Sequence, residues 1–261
     1  MNFKVFLINL DRSTERLEIS QKLLREQGIP YERISAVDGQ TLGAGQIKDI
    51  YQFDDFQTYY KKLNAGEVGC YLSHRKVWQR IIDDNLDFAV ILEDDFAQCS
   101  SLKSAIALIA KLPRAWDYIK LAEHSRKRRF ISQRNFEQIC IGIYDKIPAR
   151  TLAQAVSMRG AQKLLAQSKQ IKRPVDIDIQ YWWEKDILAL GISPAVVTPR
   201  ENEVSQIDLS ADRNSADKSR LKQISHAIRF KIDNKRFQNR QKEEFENFLE
   251  LVEAHKNDLK K

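Results

Sequence analysis

The chain has 261 residues, 43% of them hydrophobic, and 43 Lys plus Arg against 36 Asp plus Glu for a formal charge of +7. That apolar content supports a real core and argues against general disorder, while no stretch approaches the roughly 20 apolar residues that span a bilayer. The charge is uneven: residues 218–242 hold nine bases and one acid, residues 126–134 hold five bases and no acid, and the remainder is therefore net −6.

The elements follow in chain order. Residues 4–10 form an apolar run of strand type, and Ser13 or Thr14 can cap the helix that runs to Gly28. Residues 31–37 read as a second strand ended by the turn pair Asp38-Gly39, which completes a strand–helix–strand unit. Residues 40–64 are expected to be a loop with short helices, and 66–84 a helix. Residues 88–92 are continuously apolar, the mark of a buried central strand. A helix is expected to about Leu112, a strand over 117–121, and extended segments over 136–144 and 151–157. Helices are expected over 158–168 and 176–190, and a late strand over 192–198. Alternation of this kind predicts an α/β fold with a mostly parallel sheet flanked by helices. The domain is expected to span 1–208, followed by a helical basic C-terminal extension over 209–261.

The N-terminal apolar run is short and Asp11-Arg12 follows it, so a secretory signal is not expected. Cys70, Cys99 and Cys140 show no zinc or disulfide spacing and read as reduced thiols in a cytoplasmic protein.

Glu93-Asp94-Asp95 directly follows the buried strand. Ligands of open α/β sheets bind at the carboxyl ends of strands, and clustered carboxylates suit a hard divalent cation that bridges to phosphates. A solvated turn or helix start is the plainer reading of the same three residues.

The string Gly66-Glu67-Val68-Gly69-Cys70-Tyr71-Leu72-Ser73-His74, together with Val90-Ile91-Leu92-Glu93-Asp94-Asp95, resembles glycosyltransferase family 25, the lipopolysaccharide and lipooligosaccharide biosynthesis transferases. The opening residues Val5 to Arg12 with Arg16, the string Ala36-Val37-Asp38-Gly39, and the later Pro174-Val175-Asp176 are also similar to that family. The resemblance covers about residues 3–207. It implies a GT-A-type, Rossmann-like fold, a UDP-galactose donor, a divalent metal (Mn²⁺, with Mg²⁺ as the alternative) and transfer with inversion. It also implies that Asp95 and then Asp94 ligate the metal, with Glu93 or Asp94 facing the ribose or a metal-bound water.

In that frame Asn9, Arg12 and Arg16 follow the first strand, where an arginine fork can pair with phosphate, although a solvated helix face explains the arginines as well. Asp38 could accept from the nucleoside or simply build its turn. Ser73 and His74 could touch the diphosphate or fix a loop. Inversion needs a carboxylate to take the acceptor proton; Asp176 is the first choice, with Asp178 and Glu123 as alternatives, and capping of a helix start as the plainer role for Asp176. Trp182 and Trp183 could stack on a sugar or pack in the core.

Residues 218–242 intersperse Leu221, Ile224, Ile228, Phe230, Ile232 and Phe237 among bases, the pattern of a basic amphipathic helix on an anionic membrane or of a helix packed on the domain. Residues 126–129 could meet an acceptor phosphate or be a charged loop. The expected function is therefore an inverting hexosyltransferase acting on a lipooligosaccharide glycolipid acceptor, cytoplasmic and peripheral on the inner membrane. The competing expectation is a metal-dependent nucleic-acid-binding protein or nuclease; the acidic remainder of the chain and the lack of a nucleic-acid motif favour the first, without a nucleic-acid partner.

Overall fold

The structure is a computed structural model that describes residues 1–54, 59–98, 101–122, 128–136, 139–200 and 220–258. Its centre is an eight-stranded sheet built from β1 (Phe3–Asn9), β2 (Glu32–Ser35), β3 (Phe88–Glu93), β5 (Tyr118–Lys120), β6 (Phe130–Phe136), β7 (Ile139–Tyr144), β8 (Ala153–Ser157) and β9 (Ala189–Ser193). The strand order is β2-β1-β3-β8-β5-β9-β7-β6, and a separate pair joins β4 (Phe96–Gln98) to β10 (Thr198–Pro199). The pairings β1–β2, β1–β3 and β5–β9 are parallel, whereas β8 runs against β3 and β5, and β7 runs against β9 and β6. Six of the eight strands thus point one way, with β8 and β7 reversed, and the expected α/β architecture with a mostly parallel sheet is present.

Side-chain alternation explains why β1 and β3 are central. Val5, Leu7, Val90 and Leu92 feed one buried cluster, and Phe6, Ile8, Ala89 and Ile91 feed another on the opposite face. A strand covered on both faces needs apolar residues at every position, as these runs have. The first cluster takes Leu24 of α1 (Thr14–Glu26) and Ile109 of α4 (Leu102–Ala110); the second takes Val77, Trp78 and Ile81 of α3 (Ala65–Asp83) and Leu164 of α5 (Met158–Ala166). The loop after β2 carries a single 3₁₀ turn, Gly39–Thr41, and the short helix α2 (Ala44–Ile50), as expected for residues 40–64.

Two expectations change. The helix expected over 176–190 is two short helices, α6 (Val175–Gln180) and α7 (Trp182–Lys185), stopped by Asp186 in the left-handed region at φ 52°, and then strand β9. The apolar run Ile187 to Leu190 is short enough to suit either state; pairing of Ala189 and Leu190 with Tyr118 and Ile119 makes it a strand. The late strand expected over 192–198 divides between the end of β9 and β10. The structure also adds a strand that the sequence does not mark: residues from Phe130 onward form β6, which pairs with β7 at the sheet edge, and charge on an edge strand discourages pairing with other chains.

The expected C-terminal helix is present as α8 (Arg220–Asp258). Its second half belongs to the core, with Phe245, Phe248, Leu249 and Val252 buried in the first cluster. The boundary expected at residue 208 lies outside the described residues. None of the described helices is long and apolar enough to cross a membrane.

Candidate active site

The strand order reverses at β1, with β2 on one side and β3 on the other. Crevices at such a reversal, outside the carboxyl ends of the strands, are where open α/β sheets bind ligands. A cleft lies there, lined by Asn9, Arg12 and Arg16 after β1, Asp38 to Gln40 after β2, Glu93, Asp94 and Asp95 after β3, and Gly66, Cys70, Ser73 and His74 of α3. The structure therefore brings together all eight residues expected to bind the donor, together with the first expected metal ligand, Asp95.

The glycines of the sequence motif set the width of this cleft. A Cβ on Gly69 would stand 2.6 Å from both the Val37 carbonyl oxygen and the Gly39 nitrogen, and one on Gly39 would meet the Ala65 carbonyl. Two residues without side chains thus let α3 lie directly on the loop after β2. Ser73 fastens that contact, accepting from the Val37 amide at 2.8 Å and donating to the Gly69 carbonyl at 2.8 Å. Glu67 starts the helix: its carboxylate accepts from the Asn64 amide while the Asn64 side chain accepts from Glu67, a reciprocal cap. Lys61 pairs with Glu67 at 2.8 Å.

His74 is buried inside α3 and meets Glu93 through Nε2 at 2.8 Å; the Gln154 amide lies 2.9 Å from Nδ1. With the Gln154 amide donating, Nδ1 accepts and Nε2–H donates to Glu93. Thr151 donates a second hydrogen bond to the same Glu93 oxygen at 2.5 Å. Loss of hydration alone would raise the Glu93 carboxyl; His74, Thr151 and the charge of Lys120 outweigh it and hold the group below the usual glutamate value. Glu93 is thus a fixed carboxylate, and His74 acts through it.

Asp94 is also committed. Asn9 donates to its Oδ2 at 2.6 Å, Arg16 lies 3.5 Å from its Oδ1, and its carbonyl accepts from Ser20 at 3.0 Å. Asn9 further donates to the Ser13 carbonyl and accepts from Arg33, so its amide is fully used in joining β1 to the acidic turn. Arg12 pairs with Asp38, whose side chain also accepts from the Gln40 amide at 3.0 Å. Asp38 therefore builds its turn and holds an arginine at the cleft mouth.

Asp95 differs from its neighbours. Its Oδ1 is buried with no hydrogen-bond partner, and burial, followed by the charges of Glu93 and Asp94, pushes its carboxyl up to about 7. An orphaned carboxylate oxygen beside two further carboxylates is costly unless a cation joins it. The donor set, hard oxygens at a cleft, suits Mg²⁺ or Mn²⁺. Asp95 has an oxygen unclaimed for such an ion, and Asp94 would join it through lone pairs beyond those engaged by Asn9 and Arg16.

In the cleft wall, burial pushes the Cys70 thiol up, and the charges of Glu93, Asp176 and Asp95 add to the shift. The Asp176 carboxylate accepts from the Arg150 and Ile177 amides, each at 2.8 Å. Arg150 adopts φ 63°, an uncommon conformation for a non-glycine residue, and its carbonyl accepts from the buried Lys120. Burial brings the Lys120 ammonium down to about 8 against the opposing charges of Asp176 and Glu93. Lys120, Thr151 and Gln154 were absent from the sequence expectations. A lysine in the apolar strand Tyr118-Ile119-Lys120 was the available signal for the first; nothing local marks the other two.

The alternatives to Asp176 fare differently. Asp178 is 2% exposed, paired with Arg173 at 2.8 Å and Lys185 at 2.7 Å, and accepts from the Tyr71 hydroxyl at 2.5 Å. With both oxygens bound inside the protein it has no route to an acceptor, and the base role expected as an option for it does not fit. Glu123 lies outside the described residues. Trp182 is buried and Trp183 stacks on Phe237 with centroids 5.9 Å apart, so both indoles are packing residues.

A model of glycosyltransferase family 25 (LPS biosynthesis protein) matches residues 2–179. The chain belongs to glycosyltransferase family 25. It is 31% identical over 222 residues to procollagen galactosyltransferase 1-A of Xenopus laevis, covering 75% of this chain and 36% of that one. It is 28% identical over 222 residues to procollagen galactosyltransferase 2 of Homo sapiens, covering 75% and 35%. The chain thus spans about a third of the length of these curated relatives. The inactive glycosyltransferase 25 family member 3 of Mus musculus is also 28% identical over 222 residues, covering 75% and 36%. A solved glycosyltransferase involved in glycosylating the major capsid of PBCV-1 matches at a TM-score of 0.37 and 7% identity, covering 64% and 65%, a likeness too low to bear on function.

Proposed function

We propose that this family 25 chain transfers galactose from UDP-galactose, with inversion, to a lipooligosaccharide acceptor at the cytoplasmic face of the inner membrane. The observation that carries the transferase reading is the cleft at the ends of β1 and β3, where an unsatisfied Asp95 oxygen shares the lining with Asp94, Arg12 and Arg16. The names of the galactosyltransferase relatives support the sugar, and the family description supports the acceptor.

A divalent ion held by Asp95 and Asp94 would neutralise the charge that grows on a departing diphosphate. Arg12 and Arg16 sit where the same diphosphate would lie and add fixed positive charge. Glu93, held by His74 and Thr151, supplies an acceptor whose position does not depend on solvent, suited to a ribose or sugar hydroxyl. We assign Asp176 as the base that takes the acceptor hydroxyl proton, because each of its oxygens keeps a lone pair beyond the single amide it accepts from. Lys120, between Asp176 and Glu93, limits the repulsion among the carboxylates.

Incubation of the protein with Mn²⁺ and a panel of nucleotide sugars tests this. UDP release from UDP-galactose, accelerated by a truncated lipooligosaccharide, is the expected result. Failure to bind UDP in the presence of Mn²⁺, with no release from any donor, would overturn it.

A further inference from the structure

We propose that the outward face of the first half of α8 docks on an anionic lipid surface. This half of the helix carries two opposed apolar faces. Inward, His226 lies 3.0 Å from the Tyr181 hydroxyl and meets the Tyr59 ring edge-on at 5.1 Å, Phe230 meets Tyr181 at 5.0 Å, Asn234 accepts from the Trp182 indole at 3.1 Å, and Phe237 stacks on Trp183. Outward, Leu221, Ile224, Ile228 and Ile232 are 78%, 55%, 54% and 62% exposed. At about 100° per residue these four fall on one stripe, roughly opposite Phe230 and Phe237. The apolar residues that the sequence presents as one set are therefore two, and packing among the described residues accounts for the inward set alone.

Charge identifies the occupant of the other face. Lys231 and Lys235 flank the stripe on one side, Arg229 and Arg236 on the other, and all four are exposed. The one acid between residues 220 and 242, Asp233, is half-buried and sits toward the inward side, 3.8 Å from Arg229. An aliphatic stripe bordered by bases on both sides matches an acyl–headgroup boundary with anionic headgroups. A second copy seated on this face would bring bases against bases with no acid to receive them. Nucleic acid favours exposed aromatic platforms, and the aromatic residues of this half point inward. The second half of α8 lacks the pattern: its exposed positions include Glu243, Glu246, Glu250 and Glu253. Because Tyr181 directly follows α6, which carries Asp176, lipid contact through this helix would hold the acceptor side of the cleft toward the bilayer; that last step rests on the transferase reading, whereas the docking itself does not.

Sedimentation of the full chain with vesicles tests the docking. Binding is expected to vesicles of phosphatidylcholine with a third phosphatidylglycerol, at least tenfold weaker to pure phosphatidylcholine, and at least tenfold weaker in 0.5 M than in 0.1 M salt. The double variant Ile228→Glu, Ile232→Glu is expected to lose binding at least tenfold with an unchanged melting temperature and circular dichroism, since both side chains are exposed. Charge reversal with Lys231→Glu and Lys235→Glu is expected to remove the preference for phosphatidylglycerol. No binding to anionic vesicles, or equal binding by the Ile228/Ile232 variant, would overturn the proposal. A dimer of the unmodified chain in ultracentrifugation that this variant dissociates would also overturn it and make the face a self-association surface.

Discussion

Gly69 and Gly39 touch backbone to backbone, so close that a single methyl on Gly69 would stand 2.6 Å from the Gly39 nitrogen. The contact seats α3 against the loop after β2 and so sets one wall of the cleft. The atoms a methyl would meet are backbone and cannot swing aside. Gly69→Ala is therefore expected to destabilise the fold by about 1–3 kcal/mol, as overpacking does, and to weaken UDP binding more than tenfold. Chemical denaturation and calorimetric titration check the two effects separately.

Asp95 is held in the folded protein at a cost. Its carboxyl is raised from an ordinary 3.8 to about 7, so between those values the folded state binds more protons than the unfolded one, and stability falls as pH rises through that window. Asp95→Asn removes the repulsion. The metal-free variant is expected to melt higher than the unmodified protein at pH 8, with the gain shrinking as pH falls toward 4. Mn²⁺ is expected to raise the melting temperature of the unmodified protein and not of the variant, and metal-dependent UDP release is expected to be lost. A variant that melts no higher and turns over normally would remove Asp95 from the metal site.

Asp176 and Asp178 are two residues apart, yet their substitutions should separate. Asp178→Asn leaves Arg173 and Lys185 buried without their counter-charge and is expected to cost about 3–5 kcal/mol of stability. Asp176→Asn keeps an oxygen for one amide and is expected to change the melting temperature little while lowering transfer at least a hundredfold. Donor binding should persist in the second variant, which equilibrium titration with UDP would show.

His74→Ala removes the donor that fixes Glu93. The Glu93 carboxyl then keeps its burial and loses its largest compensation, so its pKa is expected to rise and the cleft to loosen. A loss of about 2–4 kcal/mol is expected, with a fall in activity that steepens toward acid pH. His74→Gln, which retains a donor on a side chain of comparable length, should recover part of both.

His226 titrates against the aromatic cluster. Burial, aided by Arg173, Lys146 and Arg229, brings its imidazole down from 6.5 to about 4. The unfolded chain binds the extra proton first, so stability is full above pH 6.5 and is lost as pH falls toward 4. His226→Phe is expected to flatten the melting temperature across that window. An unchanged acid slope would show that the first half of α8 is held by other contacts.

Much of the fold and the cleft was legible in the residues themselves. Runs such as Val5 to Ile8 and Phe88 to Leu92 announce central strands because burial on both faces requires an apolar residue at every step. The acids after β3 and the glycines of α3 point to the cleft as a joint pattern, since either feature alone has an ordinary structural explanation. The two basic segments likewise show in the sequence, and with them the acidic body that lies under a net charge of +7.

Tertiary structure decided the rest. Asp176 and Asp178 read alike as carboxylates at the start of a helix; only the placement of Arg173, Lys185 and Tyr71 locks one in and leaves the other with spare lone pairs. Phe230 and Ile228 read alike as apolar residues of a basic helix; only the packing of Tyr181 and Trp183 turns one inward and leaves the other to solvent. Thr151 and Gln154 are distant in the chain from the Glu93 and His74 that they meet, and Lys120 comes into the field of Glu93 and Asp176, because the sheet order places β8 beside β3 and β5 beside β8. Local sequence specifies periodicity and residue chemistry; which groups share a buried volume is a property of long-range pairing, and it is that sharing that makes one carboxylate a structural ion and another a candidate base.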